Sequence, residues 1–203
     1  MPKCKIAYVT VPHSASRYIE DTFRQAGLTV EQATKRDVPE ADVLWDHWFQ
    51  PPHDENIQKA LLVADHRFVV TRDPIMTWAT FFHDASVHEY EGWDKARIAG
   101  NLMSNLISYY VRQNALAAYY DLPAFRADKD SIETLGKFVG VPLAQPGDTF
   151  GHEYDFKDAV RARDIEAIKE ICRDTLYFER FMMELTPLIK DYYESIGYDI
   201  WWT

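Results

Sequence analysis

Two short runs combine residue types suited to holding a phosphate-like anion. The first is Pro12-His13-Ser14-Ala15-Ser16-Arg17-Tyr18. Small side chains at Ser14, Ala15 and Ser16 let backbone N–H groups approach an anion, two hydroxyls add donors, and His13 and Arg17 add positive charge. The second is Arg72-Asp73-Pro74, with Thr80 eight residues after Arg72. An arginine fork makes paired hydrogen bonds to phosphate, and a hydroxyl two helical turns further on can share the same group. Each run also has a plain reading. The first can be a βα turn with a serine cap, and the second a surface Arg72–Asp73 pair ahead of a proline helix start. The first run is not a Walker A loop, because G-x-x-x-x-G-K-S/T is absent, which disfavours a standard ATP or GTP hydrolase.

These runs need strands before them and helices after them, and the hydrophobic pattern supplies both. Lys5–Val11 is a near-continuous apolar run, as expected of a buried strand, and Ser16–Ala26 carries Tyr18, Ile19, Thr22 and Phe23 on one helical face up to Gly27. Leu28–Gln32 and Asp42–Trp48 read as further strands, Gln50–Glu55 as a loop and Asn56–Ala64 as a helix. His66–Thr71 is a clear strand, and Pro74 opens the next helix, through Trp78, Phe81 and Phe82. Trp93–Tyr120 is a long helical pattern and Leu122–Arg126 a short strand. Asp130 with Glu133 spells a capping box for a helix that turns Leu135, Phe138 and Val139 inward and stops at Gly140. Asp164–Glu184 reads as a helix, interrupted at Pro187 and continued over Leu188–Ile196, and Trp201 and Trp202 are expected to pack. Strands alternating with helices predict an α/β fold: one domain over residues 1–203, with a parallel sheet of about four to five strands flanked by helices and a helical C-terminal part. Ligands of such sheets sit at the carboxyl ends of the strands, where both runs lie.

Composition narrows the partners. The formal charge is −10 over 203 residues, so blanket attraction to nucleic acid or an anionic membrane is not expected, and any bound anion must be held by a few local groups. Cys4 and Cys172 have no metal-ligand spacing and are read as ordinary reduced thiols. The first residues lack a signal-peptide pattern and no stretch reaches the length of a membrane span, so a soluble, cytoplasmic protein is expected.

Taken together, the two runs resemble those of the sulfotransferase family, whose donor is 3′-phosphoadenylyl sulfate. The family's 5′-phosphosulfate loop follows the first strand and reads Pro-Lys/Arg-Ser-Gly-Ser/Thr-Thr-Trp. Here His13 stands at the basic position and Ala15 at the glycine. The family's 3′-phosphate motif is Arg-Asp/Asn-Pro with a serine eight residues after the Arg, matched here by Arg72-Asp73-Pro74 and Thr80. The run FRADKDSIETLGKFVGVPL is similar to a later strand and helix of the family, so order and spacing agree over roughly the first 140 residues. The family's glycine-rich, lysine-bearing C-terminal motif is not evident, with Gly151 only a faint counterpart.

The resemblance implies a sulfuryl transfer from 3′-phosphoadenylyl sulfate to a small-molecule hydroxyl or amine, with adenosine 3′,5′-bisphosphate as product and no metal. It implies that Ser14, Ala15, Ser16, Arg17, Tyr18, Arg72 and Thr80 bind the nucleotide, with Arg126 and Asp128 near the adenosine. His47, 25 residues before Arg72, is the implied base and His53 the runner-up, against a surface or packing role for either. Trp45, Trp48, Trp78 and Trp93 either line an acceptor pocket or pack in the core. Two other readings stand beside this one. A non-catalytic module binding the 3′,5′-bisphosphate would explain His13 and the missing C-terminal motif, and a kinase-like phosphotransferase would differ in needing magnesium.

His13 in place of Lys or Arg has a kinetic consequence. An imidazole with its ordinary pKa of about 6.5 carries little charge at neutrality, while a bound dianion favours the charged form. Turnover is therefore expected to fall as pH rises above neutrality, and His13→Lys to move that limb to higher pH. An unchanged pH–rate profile in the variant removes His13 from the mechanism.

Overall fold

The computed structural model describes residues 4–12, 14–33, 40–47, 53–78, 80, 95–146, 156–172 and 175–202. In chain order the elements are β1 (Ile6–Thr10), α1 (Ser16–Gln25), β2 (Val30–Gln32), β3 (Val43–Asp46), α2 (His53–Val63) and β4 (His66–Thr71). A helical segment covers 74–78. Then come α3 (Lys95–Tyr119), β5 (Ala124–Arg126), α4 (Ile132–Val139), α5 (Phe156–Ala162), α6 (Ile165–Cys172) and α7 (Thr175–Ser195). The chain divides into two compact units, Met1–Arg72 with Ala115–Gly151, and Asp73–Asn114 with His152–Thr203.

The first unit holds a five-stranded, all-parallel sheet in the order β2-β3-β1-β4-β5. The α/β class expected from the alternating pattern is therefore the observed one. β1 lies at the centre, and all five of its residues are buried, which is why its sequence is apolar throughout rather than alternating. One face of the sheet presents Ile6, Tyr8, Trp45, Phe68 and Phe125, packed against Ile19 and Phe23 of α1 and Ile132, Leu135 and Val139 of α4. Tyr8 is the middle of this layer: its ring stacks on Trp45 at 5.9 Å and on Phe68 at 5.2 Å. α2 packs on β1 and β3 and buries Ile57, Ala60 and Leu61. α1 and α4 are followed by Gly27 and Gly140 at φ +81° and +69°, where a side chain would be strained.

Asp42 clamps the amino edge of the sheet. Its Oδ1 accepts from Lys5 Nζ at 3.0 Å, and its Oδ2 accepts from the Thr29 amide at 3.1 Å and hydroxyl at 2.8 Å. Its carbonyl accepts from the Lys5 and Ile6 amides. One residue thus ties together the entries to β1, β2 and β3.

The second unit is helical. α5 packs on α6 and α6 on α7. Tyr110 of α3 meets Tyr193 of α7 edge to face at 5.8 Å, and the Tyr193 hydroxyl donates to the buried Gln113. Trp202 is buried and donates from Nε1 to Thr186 Oγ1 at 2.8 Å, so the aromatic tail packs as expected.

Four local expectations are corrected. Pro187 does not interrupt a helix but lies inside α7. Residues 183 and 187 are exposed, so the Met183 carbonyl that the missing N–H leaves unbonded can turn to water. Ser131, not Asp130, caps α4, accepting from the Thr134 amide, because Asp130 is committed to Arg126. Phe138 is 42% exposed and meets Phe68 and His66 edge to face. α2 begins at His53, inside the stretch expected as a loop.

The hydrogen bonds from Lys5 and Thr29 hold the Asp42 carboxyl down at about 2, below its ordinary 3.8. A depressed carboxyl contributes stability above its unfolded pKa and loses it as pH falls through the folded one. Asp42→Asn is expected to unfold about 1 kcal/mol more easily at neutral pH. The gap to the wild type should close between pH 3.8 and about 2. Urea titrations across that window check it, and a gap independent of pH contradicts it.

Candidate functional site

The sheet register collects the sequence-predicted residues of the first unit at one edge. Val9 of β1 pairs with Asp46 of β3, and Thr10 with Val70 of β4. The loop beginning at Val11, His47 after β3 and Arg72 after β4 therefore all leave the carboxyl ends of three adjacent strands. The chain runs from β1 through α1 to β2 on one side of β1, whereas β4 leads to β5 on the other. This divergence is a topological switch point, the usual ligand crevice of an open α/β sheet.

The loop itself is built for backbone donors. The Ser14 amide closes a turn onto the Val11 carbonyl at 3.1 Å. Ala15 then adopts a left-handed conformation, φ +69° and ψ +23°, as the N-cap of α1, and its methyl side chain makes no capping bond. The first helical bond runs from the Ile19 amide to the Ala15 carbonyl at 3.1 Å. Ser14 and Ser16 are buried, Arg17 is exposed and Tyr18 half-buried. A helix start behind a left-handed turn presents amides and a positive dipole end together. Burial, and then the Glu133 charge, pushes the Tyr18 phenol above its ordinary range, so it stays a donor near neutrality. His13 lies outside the described residues.

His47 is half-buried, with its ring against the edge of Trp45 at 5.2 Å. Its backbone amide donates to Asp46 Oδ1 at 2.7 Å, which also accepts from Gln32 Nε2 at 3.1 Å. Asp46 is fully buried. The sequence reading passed over it, although a carboxylate directly after the apolar run VLW is a visible signal. His53 starts α2. Trp45 and Trp78 are core residues at 4% exposure each. Trp48 and Trp93 lie outside the described residues.

Thr71 pairs with Arg126, which brings Arg126 to the same edge. Its guanidinium holds Asp130 through Nε at 3.1 Å and Nη2 at 2.5 Å. Burial would raise the Asp130 carboxyl, but the hydrogen bonds and charge of Arg126 win and lower it. Asp128 is exposed in the turn that follows. Arg72 closes the first unit, and Thr80 belongs to the second, where it is buried and donates to the Met76 carbonyl at 2.8 Å. Asp73 caps the segment opened by Pro74, its Oδ1 accepting from Ile75 and Met76 amides at 2.8 and 3.2 Å. That is the proline-start helix expected from sequence.

A groove of about 500 Å³ opens at the opposite, amino edge, lined by Lys5, Thr29, Glu40 and Asp42 among others. Lys5, Thr29 and Asp42 satisfy one another there, so the groove is the poorer ligand site despite its volume. Among the described residues, no three His, Cys, Asp or Glu side chains gather as a metal-ligand group, and no helix is long and apolar enough to cross a membrane.

Comparison with protein-family models, with curated proteins and with solved structures finds no match to this chain.

A left-handed alanine costs about 1–2 kcal/mol, more for a β-branched residue. Ala15→Gly is expected to be as stable as the wild type or up to about 1 kcal/mol more so, and Ala15→Val to lose about 1–3 kcal/mol. Urea unfolding of the two variants checks this. Equal stability of Ala15→Val and the wild type contradicts the left-handed turn.

Proposed function

We propose that this protein binds 3′-phosphoadenylyl sulfate at the carboxyl edge of β1 and β4 and transfers its sulfuryl group to a small hydroxyl or amine acceptor. The observation that carries the reading is the left-handed Ala15 at the start of the α1 helix. The resemblance places a glycine at this position, and the backbone here has the geometry a glycine would serve, which sequence alone did not reveal. The residues fit an anionic donor: first-turn amides of α1, the Ser14 and Ser16 hydroxyls and Arg17 on one side of the switch point, Arg72 on the other.

In the proposed step the acceptor O–H or N–H attacks the donor sulfur in line with the bond to the 5′-phosphate. The new O–S or N–S bond forms as the S–O bond to that phosphate breaks, and adenosine 3′,5′-bisphosphate leaves. His47 takes the acceptor proton, and His13 or Arg17 stabilises the charge growing on the leaving phosphate. Catalysis is then mainly positioning and charge stabilisation, as in phosphoryl transfer.

A ligand that binds only the folded protein raises its stability by mass action. Adenosine 3′,5′-bisphosphate is expected to raise the unfolding temperature, ADP and ATP with magnesium to do less, and Arg72→Ala to abolish the shift. At a hundredfold excess over Kd the gain is about 2.7 kcal/mol, a shift of several degrees for a chain of this size. A response confined to ATP with magnesium would point to the kinase-like reading, and no response to any nucleotide overturns the proposal. Binding of the 3′,5′-bisphosphate without turnover against a panel of hydroxyl and amine acceptors would favour the non-catalytic module.

A further inference from the structure

A carboxylate stands at each end of β3, and the two are placed differently. Asp42, just before the strand, is partly exposed and pairs with Lys5. Asp46, its last residue, is completely buried. A carboxylate taken out of water is costly unless N–H donors replace its hydration. For the strand alone an apolar residue would serve, as at Val43, Leu44 and Trp45. What Asp46 adds is direction. Its Oδ1 accepts from the His47 amide at 2.7 Å and from Gln32 Nε2 at 3.1 Å. Gln32 ends β2, an edge strand of three residues that pairs with β3. Beside it the Ala33 amide donates to the Trp45 carbonyl at 2.9 Å, and buried Asn56 of α2 donates to the Ala33 carbonyl at 3.4 Å. β2, β3 and α2 are thus tied together where the chain leaves the sheet at His47. All of these residues belong to the first unit. His47 meets this arrangement twice, with its amide on Asp46 and its ring against Trp45 at 5.2 Å.

We propose that Asp46 is a positioning residue for His47: by accepting the His47 amide, it fixes the backbone from which the imidazole is presented at the carboxyl edge of the sheet. Gln32 holds the carboxylate in the orientation this needs. The inference rests on the reading of His47 as the base in sulfuryl transfer. Asp46 touches no substrate in this scheme and acts through His47 alone.

Asp46→Asn and Asp46→Ala test it together, since asparagine keeps the shape and an accepting Oδ1 and alanine removes the acceptor. Two measurements are made on the nucleotide-free proteins. One is the NMR signal of the His47 imidazole, assigned by its loss in His47→Gln. The other is the rate at which diethyl pyrocarbonate modifies His47, read by peptide mass. In Asp46→Ala the His47 signal is expected to shift or broaden and modification to run about tenfold faster, while Asp46→Asn stays within about twofold of the wild type. The ring signals of Tyr8 and Trp45 should hold their positions in both. An unchanged His47 signal and rate in Asp46→Ala overturns the proposal. So does movement of the Tyr8 and Trp45 signals along with it, because Asp46 would then be holding the core. An Asp46→Asn that behaves like Asp46→Ala overturns it too, since charge and not the accepted bond would matter. Should Asp46→Ala fail to fold, Gln32→Ala decides, because it releases the carboxylate from a half-buried edge position; an unmoved His47 signal there overturns the proposal. Binding of adenosine 3′,5′-bisphosphate to the wild type is measured separately by calorimetry. Its absence overturns the sulfuryl-transfer reading, and with it the part of Asp46 in that reaction, whatever the His47 signal shows.

Discussion

Ala15 must turn left-handed for the chain to pass from β1 into α1, and the rest of the first unit follows from that turn. An alanine there is strained by about 1–2 kcal/mol. The turn persists because both of its ends are fixed. On one side β1 is completely buried and paired in parallel to β3 and β4. On the other, Ile19 and Phe23 lock α1 onto the aromatic layer around Tyr8. Burying such side chains contributes about 1.5–3 kcal/mol each, enough to outweigh one strained residue. The same constraint aims the start of α1 at the carboxyl edge of the sheet, where Arg72 and His47 also emerge.

The parts of this arrangement that were legible in the sequence are those set by burial. β1, β3 and β4 are apolar runs because a central parallel strand is covered on both faces, and their order with intervening helices already implied the sheet. What escaped was set by single side-chain choices between near-equivalent partners. Asp130 and Ser131 are adjacent, and each is a good cap; the nearby Arg126 guanidinium takes Asp130 and leaves the cap to Ser131. Pro187 reads as a helix stop, but an exposed proline within a long amphipathic helix loses one bond while packing on either side carries the helix through. Phe138 falls on the apolar period of α4 yet sits at its rim. The left-handed state of Ala15 was invisible because alanine carries no signal for it. The hydrogen bond from Trp201 Nε1 to Asp73 Oδ2 was invisible because nothing local encodes a contact across 128 positions.

Charge constrains how this protein can hold an anion. The chain carries ten more acidic than basic formal charges, and many described cations are already spent locally. Arg24 faces Glu20, Lys59 faces Glu55, Arg163 faces Asp199, and Lys169 is shared by Glu166 and Glu179. Exposed pairs of this kind add little stability, but they remove the positive field that would draw a polyanion from a distance. Under the proposed function, recognition is then short-range, through oriented amides, hydroxyls and an arginine fork at the switch point. That favours a compact ligand whose few phosphates fit the donors over a polymer bound by charge alone.

His47 illustrates how the core reaches the site. Its ring rests on the edge of Trp45, Trp45 stacks on Tyr8, and Tyr8 stacks on Phe68. Its backbone amide is tied to Asp46, which also holds Gln32 of β2. The imidazole thus rests on the central layer of the sheet, while the backbone at His47 is tied to a buried carboxylate. In the proposed mechanism, a base held in this way keeps its direction when the loop after β1 adjusts to a ligand. In that mechanism the same rigidity restricts which acceptors can approach it, because Trp45 and Tyr8 cannot move without opening the layer that holds β1 in place. Under the proposed function, acceptor choice and fold stability are therefore coupled through these aromatic rings.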